Sequence, residues 1–487
     1  MHVREMLSQL TPKTSFGKGV VSLTSGTVVG QLLLLAASPV LTRLYSAEDF
    51  GTFGVFVSLV SILSVVSSLR YQIAIPIPED EKKASNLAAL AFTIVIVFTA
   101  AVACLIHPAR AWLVSLTNTP AIGAYVWLLP IAIFFVGSYQ VLSYWTLRNK
   151  AFASIGQAKA AQGAVRAIGQ ISLAPATGGA SGLVGGYILG WGLAAALLVR
   201  GMCKRSQPLQ RFPLSAREVR AVAKEFRRFP LFSSWSAISN TLSVQLPMIL
   251  LASFFGPVIA GFYSLTRQVL SAPMQFVGQA VSQAFLSEAP SAARDGRLRP
   301  LTMGIFRYLV RVAIPVCLVL GIAAPAIFSL VFGAEWRVSG VYCQWLTGWL
   351  FLVFVSSPLS MVPSIMGKQR QELVFHATLL ASRIAALLGG SMLGSPAVAL
   401  GLFAAVSSVC WFFFMLWNLA LTGNRVTRVL ATIGHELWPN VLLSAPIVAC
   451  RIWRLPGVYI VGAAAVSGLL MAIRLVVLLR RARNGEE

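Results

Sequence analysis

The sequence predicts an all-α polytopic membrane protein of about fourteen transmembrane helices, arranged as two six-helix lobes and a terminal helix pair. One observation is bulk composition: 57% of the 487 residues are hydrophobic and only 11% charged, where a soluble chain carries about a quarter charged residues. Mean hydropathy is +0.77. The other is charge placement, because Lys and Arg gather in every second gap between long apolar runs. The net charge of +24 would point to nucleic acid in a soluble chain. Here the bases are spread over loops rather than collected on one domain, so membrane lipids are the expected partner and nucleic acid is not.

About 20 apolar residues cross the hydrocarbon core. Runs of that kind lie near 20–44, 50–75, 84–106, 125–147, 159–177 and 182–199. After a polar stretch they resume near 229–254, 258–286, 301–332, 341–366, 373–393 and 397–421, with a final pair near 437–452 and 457–479. The domain reading is therefore 1–205 as an N-terminal lobe, 206–228 as a basic linker, 229–422 as a C-terminal lobe, and 423–487 as the terminal pair and basic tail. Arg4, Lys13 and Lys18 precede a run too long for a signal peptide's apolar region, so the first span is expected to stay.

Orientation follows from the short loops. One set of gaps holds Lys82, Lys83, Arg148, Lys150, Arg294, Arg297, Arg299, Lys368, Arg370, Arg425 and Arg428, with the basic linker and both ends. The other set holds only Arg43, Arg110, Arg337, Arg451 and Arg454. Both termini are expected to be cytoplasmic, which requires an even number of spans. Within the linker, Arg217, Arg220, Lys224, Arg227 and Arg228 alternate with Val219, Val222 and Phe226 at helical spacing, as in a helix on a membrane surface.

The two lobes echo one another. Ser25-Gly-Thr-Val-Val-Gly-Gln31 matches Ser239-Asn-Thr-Leu-Ser-Val-Gln245 at Ser, Thr and Gln. A second apolar run then opens on Phe50-Gly-Thr-Phe53 in one lobe and Ala260-Gly-Phe-Tyr263 in the other. Both copies start from the same side, so the repeats are expected to be parallel, an arrangement suited to a cavity between two rocking halves.

Residues 22–80 carry a resemblance. Ser-Gly-Thr-Val-Val-Gly-Gln, then Ala-Ser-Pro-Val-Leu-Thr-Arg-Leu-Tyr-Ser-Ala-Glu-Asp-Phe-Gly-Thr-Phe, then Ser-Leu-Arg-Tyr-Gln-Ile-Ala-Ile-Pro-Ile-Pro resemble the opening of bacterial polysaccharide-biosynthesis membrane proteins. These are lipid-linked oligosaccharide flippases of the multidrug/oligosaccharidyl-lipid/polysaccharide (MOP) exporter superfamily. Beyond that segment the agreement is in span count, the six-plus-six division and the extra pair. The resemblance implies a V-shaped bundle in the bacterial inner membrane. It would carry an undecaprenyl-pyrophosphate-linked O-antigen, capsule or exopolysaccharide unit outward by alternating access, alongside a glycan polymerase and other assembly proteins.

The residues support an anionic substrate independently. At 1.5 Å per residue, Arg267 lies about 15 Å from the outer end of its span near Pro257, close to mid-membrane. Arg383, Arg311 and Arg166 are similarly deep, and the guanidinium fork suits phosphate. These four are the candidate substrate-binding residues, at least two of them expected to line one cavity; interhelical bonding to carbonyls is the alternative for any one. Arg70, near an inner span end in the Leu-Arg-Tyr motif, is a candidate inner-mouth contact, and Arg474 reads as snorkelling. Arg43, Glu48 and Asp49 are gate candidates, with a turn salt bridge as the alternative.

Other features narrow the class. No Walker A pattern is present. Asp and Glu fall in loops and span ends, Glu288 and Glu372 coming nearest the membrane, which argues against a cation-coupled drug exporter. Six scattered Cys and four scattered His form no metal pattern, so no cofactor is expected. The reading is a non-enzyme transporter. A glycan polymerase or ligase, which would need a substantial outer loop, and a drug antiporter are the alternatives. Pro39, Pro247, Pro273, Pro315 and Pro358 are candidate kinks.

Overall fold

The computed structural model describes residues 15–204, 215–273 and 277–484, and every regular element among them is helical. Arg4, Lys13 and the 205–214 part of the linker lie outside the described residues. The first helices are α1 (Ser15–Leu44), α2 (Ala47–Ser64), α3 (Glu81–Thr117), α4 (Leu129–Arg148), α5 (Phe152–Leu173) and α6 (Ser181–Lys204). They lead to a short α7 (Ala216–Glu225) and a long α8 (Ser234–Pro273). The chain continues as α9 (Gln279–Arg294), α10 (Leu298–Phe332), α11 (Arg337–Ser356), α12 (Gln369–Met392) and α13 (Pro396–Leu421). It ends in α14 (Val426–Leu443), α15 (Ala445–Ile452) and α16 (Gly457–Asn484).

Eleven segments among the described residues are long and apolar enough to cross a membrane. Three physical reasons separate that figure from fourteen. At 40 residues, α8 rises about 60 Å, twice the core thickness, and it breaks at Gly256, whose φ of 82° and ψ of 174° only glycine adopts readily. It is therefore long enough for two passages. Helix α5 has 22 residues, enough for one passage, but carries Lys159, Arg166 and three Gln; it packs between α1 and α6, where Gln162 and Gln170 are buried against protein. The α14–α15 pair, joined at Ser444, is likewise diluted by Arg428, His435 and Glu436.

Several boundaries differ from those expected. The run at 50–75 is not one helix: α2 ends at Ser64, and a turn leads to a 3-10 segment at Tyr71–Ala74. Ser67 Oγ bonds the Ser64 carbonyl at 2.9 Å, a local alternative to helix continuation. Leu69 and Arg70 then take left-handed φ values of 48° and 62°, which costs non-glycine residues roughly 1–2 kcal/mol each. Within the run at 258–286, α8 is described to Pro273 and α9 from Gln279, and residues 274–276 lie outside the described residues.

Two compact units result, Thr14–Ser264 and Leu265–Glu487, so the division falls inside α8. The first is built around Tyr71, Leu87, Trp145, Ile155 and Leu198, the second around Phe285, Phe306, Leu309, Phe354 and Met415. In the first, the echoed segments meet. A Cβ on Gly51 would strike the Pro257 carbonyl, and one on Gly261 would strike the Ala47 carbonyl, so α2 and the second half of α8 cross reciprocally at backbone contact. Ser58 Oγ also reaches Gln245 Oε1 at 3.4 Å.

Helix α7 is amphipathic as its spacing predicts, and it docks on α3. Val222 is buried, Lys82 Nζ meets Glu218 at 2.5 Å and Lys83 Nζ meets Glu225 at 3.1 Å. Asn86 Nδ2 donates to the second Glu218 oxygen at 3.1 Å. Arg148 donates to the carbonyls of Ile75, Pro78 and Glu79, holding the loop before α3.

Candidate functional site

In the first unit the cationic centre is α5. Lys159 and Arg166 are seven residues apart, so they lie on one face, separated by about 10 Å of rise. Neither has a carboxylate partner among the described residues. Aromatic faces surround them instead: Lys159 Nζ lies 4.2 Å from the Trp191 ring centroid and 4.9 Å from that of Tyr139. The Arg166 guanidinium carbon lies 5.3 Å from both Phe53 and Tyr187. Such contacts stabilise a desolvated cation by up to about 2 kcal/mol, far short of the cost of leaving one in apolar surroundings.

Local packing holds Arg166 in place. Cβ atoms on Gly186 and Gly190 of α6 would strike the Arg166 carbonyl and the Gln162 carbonyl, so α6 approaches α5 closely enough to bring Tyr187 to the guanidinium. The ring of Tyr187 is set by edge contacts with Phe53, Phe56 and Trp191, at 6.0, 6.4 and 6.3 Å between centroids. Arg166 Nε is buried with no hydrogen-bond partner among the described residues. Sequence reasoning misses Lys159, because it stands at the very start of an apolar run; its i, i+7 spacing to Arg166 is the signal that marks it.

The second unit repeats the clamp. Arg383 on α12 is 6% exposed, and its guanidinium carbon lies 5.4 Å from Trp349 and 5.3 Å from Phe403. Its Nε donates to Ser407 Oγ at 3.0 Å. Counted along the apolar runs of each six-span half of the sequence, the arginine sits in the fifth run, and one ring of its clamp comes from near the start of the sixth, Tyr187 on α6 and Phe403 on α13. Arg267, on the second half of α8, is half-buried; the neighbouring Thr266 Oγ1 ties that helix to the Ser339 carbonyl at 2.8 Å.

Arg311 departs from expectation. Its Nε donates to Glu436 Oε1 at 2.7 Å, and Arg474 Nη2 meets Glu436 Oε2 at 3.1 Å. Glu436 is 2% exposed and lies about 15 Å along α14. The reading that carboxylates stay at loops and span ends is corrected here, because α14 begins at Val426, eleven residues before the apolar run suggested. Arg474 is bound to this carboxylate rather than simply snorkelling.

Arg70 lies in the strained turn after α2, with Nε buried and no partner among the described residues. At the other end of α2, Asp49 closes a capping box with Ser46, its Oδ2 accepting from the Ser46 amide at 3.0 Å. Arg43 donates to the Pro39 carbonyl at 2.5 Å. The structure does not join Arg43 to Glu48 or Asp49 as an ion pair; that end is a capped turn.

Comparisons place this arrangement in a known fold. The chain is similar to the structure of the lipid II flippase MurJ in an inward closed conformation, with a TM-score of 0.75 at 10% identity, covering 95% of this chain and 99% of that one. It is also similar to a multidrug resistance MATE family transporter of the MOP superfamily. The inward-facing form gives a TM-score of 0.59 at 15% identity over 88% of this chain and 98% of that one. The outward-facing form gives 0.58 at 15% over 87% and 98%. No curated protein sequence matches the chain. A family model described as polysaccharide biosynthesis protein matches residues 40–340, more than half of the chain, and on that match the chain belongs to the polysaccharide biosynthesis protein family.

Proposed function

We propose that the protein is a transporter that flips a lipid-linked oligosaccharide, joined through pyrophosphate, from the inner to the outer leaflet of the cytoplasmic membrane by alternating access. The observation that carries this reading is the pair Lys159 and Arg166. Two cations share one face of a membrane helix, supported by rings and not neutralised by a carboxylate. Aromatic faces orient a cation without satisfying its hydrogen bonds, so the donors stay available to phosphate oxygens, which a guanidinium can engage in pairs.

Arg166, Arg267, Arg383 and Arg70 remain the substrate-contact candidates, joined by Lys159. Arg311 is assigned to the scaffold, since Glu436 already takes its charge. Family membership and a fold shared with a lipid II flippase support a phosphate-linked lipid over a drug. The test is surface glycan display in a deletion strain complemented with variants, normalised to protein in the membrane. Arg166→Gln is expected to abolish display and Arg166→Lys to retain part of it. Wild-type display from a Lys159→Gln, Arg166→Gln double variant would overturn the assignment.

A further inference from the structure

A second cationic feature lies away from both aromatic clamps, wholly within Leu265–Glu487. Along α10, Arg299, Met303, Arg307 and Arg311 recur every four residues and form one stripe. Facing them are Arg425, Arg428, Thr432 and His435 at the start of α14, which packs on α10. Adjoining cavities of about 300, 410 and 430 Å³ lie along this seam, and Arg428 lines all three. Among the described residues, the only carboxylate in their walls is Glu436, which is held by Arg311 and Arg474. Arg299, Arg307, Arg425 and Arg428 are exposed and have no carboxylate partner among the described residues.

Helix stability does not account for these positions. Arg297 and Arg425 are the N-caps of α10 and α14, Arg299 and Arg428 fall in the first turns, and neither first turn contains an acidic residue. Cations at a helix N-terminus oppose the macrodipole, whereas an anion there is favoured both by the dipole and by the free amides. Two helix starts and four arginines thus converge on a place suited to negative charge.

The frame around it is rigid. Thr302 Oγ1 lies 3.0 Å from Thr422 Oγ1, and Asn424 Nδ2 donates to Thr302 Oγ1 at 3.1 Å and Thr422 Oγ1 at 2.9 Å. Asn424 lines the cavity beside Arg299 and Arg307, and its buried Oδ1 has no partner among the described residues, an acceptor suited to a headgroup hydroxyl.

Depth favours a lipid. Helix α10 has 35 residues, a rise of about 52 Å against a core of about 30 Å, so its end turns stand in a headgroup layer. Further along the seam, Leu478 closes the cavity wall, and Leu437, Trp438, Val441 and Val477 are exposed nearby in sequence, as an acyl chain requires.

We infer that the α10–α14 seam binds the phosphate headgroup of an anionic phospholipid. This assignment stands apart from the transport reading, since none of its exposed arginines belongs to the aromatic clamps. Phosphate contacts from several Arg at a membrane surface add to affinity roughly one by one. The full chain purified in detergent is titrated with phosphatidylglycerol or phosphatidylcholine in mixed micelles, with bound lipid read by native mass spectrometry and stability by thermal shift.

Phosphatidylglycerol is expected to bind and stabilise where phosphatidylcholine does not. Arg307→Gln with Arg428→Gln is expected to weaken it at least about tenfold, while the Arg307→Lys, Arg428→Lys pair keeps most of the effect. Arg217→Gln with Arg220→Gln on α7 serves as the charge-matched control and is expected to bind as wild type. Unchanged phosphatidylglycerol binding in the Gln pair overturns the site. Equal stabilisation by glycerol 1-phosphate overturns the lipid assignment, and equal binding of phosphatidylcholine does the same.

Discussion

Arg311 Nε and Glu436 Oε1 lie 2.7 Å apart with both side chains almost fully buried, and Arg474 closes the other carboxylate oxygen at 3.1 Å. The triad joins α10, α14 and α16, so within the second unit the terminal helices are tied to α10 by charge as well as by the apolar contacts of Ala323, Ile447 and Ala464. Removing one member leaves buried charge uncompensated, which costs about 3–5 kcal/mol, whereas replacing a pair by apolar residues of similar volume is often near neutral.

Glu436→Gln is therefore expected to lower thermal stability in detergent sharply, leaving two arginines opposed without a carboxylate. The Arg311→Met, Glu436→Met double variant is expected to recover most of the loss. A double variant no more stable than Glu436→Gln would show that the triad's worth lies elsewhere than in charge compensation.

The clamp on Arg383 leads to a prediction about activity rather than stability. Arg383→Gln keeps the hydrogen bond to Ser407 but removes the charge held between Trp349 and Phe403. Membrane protein level is expected to hold while glycan display falls, with Arg383→Lys intermediate because it keeps charge without the planar fork. Full display from Arg383→Gln would remove this residue from the substrate contacts.

Gly51→Val and Gly261→Val are each expected to destabilise the first unit by more than about 1–3 kcal/mol, since each side chain would collide with backbone that cannot move aside. Gly389→Ala on α12 is the contrast. Nothing lies within 4 Å of its added Cβ, so helix propensity should make it neutral or stabilising by up to about 1 kcal/mol. Melting temperatures of the three variants decide the matter.

The docking of α7 carries a pH dependence. The ion pair with Lys82 holds the Glu218 carboxyl below its usual value of 4.5. A carboxylate depressed in the folded state contributes fully above its unfolded pKa and loses that contribution as pH falls through the folded value. Hydrogen exchange of α7 is expected to be slow at neutral pH and to accelerate relative to α3 below about pH 4. Glu218→Gln should exchange faster at pH 7 and show a weaker pH response.

Much was legible in the chain itself. A run of about 20 apolar residues has few alternatives to a membrane helix, because lipid offers no partner for backbone polar groups, and such runs account for most of the long helices. That Arg166 and Arg383 fall well inside their helices followed from chain position alone. What periodicity could not supply was partners. Glu436 read as a span-end residue because α14 is too polar to register as apolar, and its burial depends on two arginines 125 and 38 positions away. Lys159 read as a boundary for the same reason. The break at Ser64 required serines to win over an apolar run, and the Gly51–Gly261 crossing required two segments more than 200 residues apart to meet. Sequence thus determined which segments are apolar enough to enter a membrane, since that depends on local transfer from water. Only the tertiary structure decided which buried charges meet a carboxylate and which are set against aromatic rings, since that depends on which helices touch.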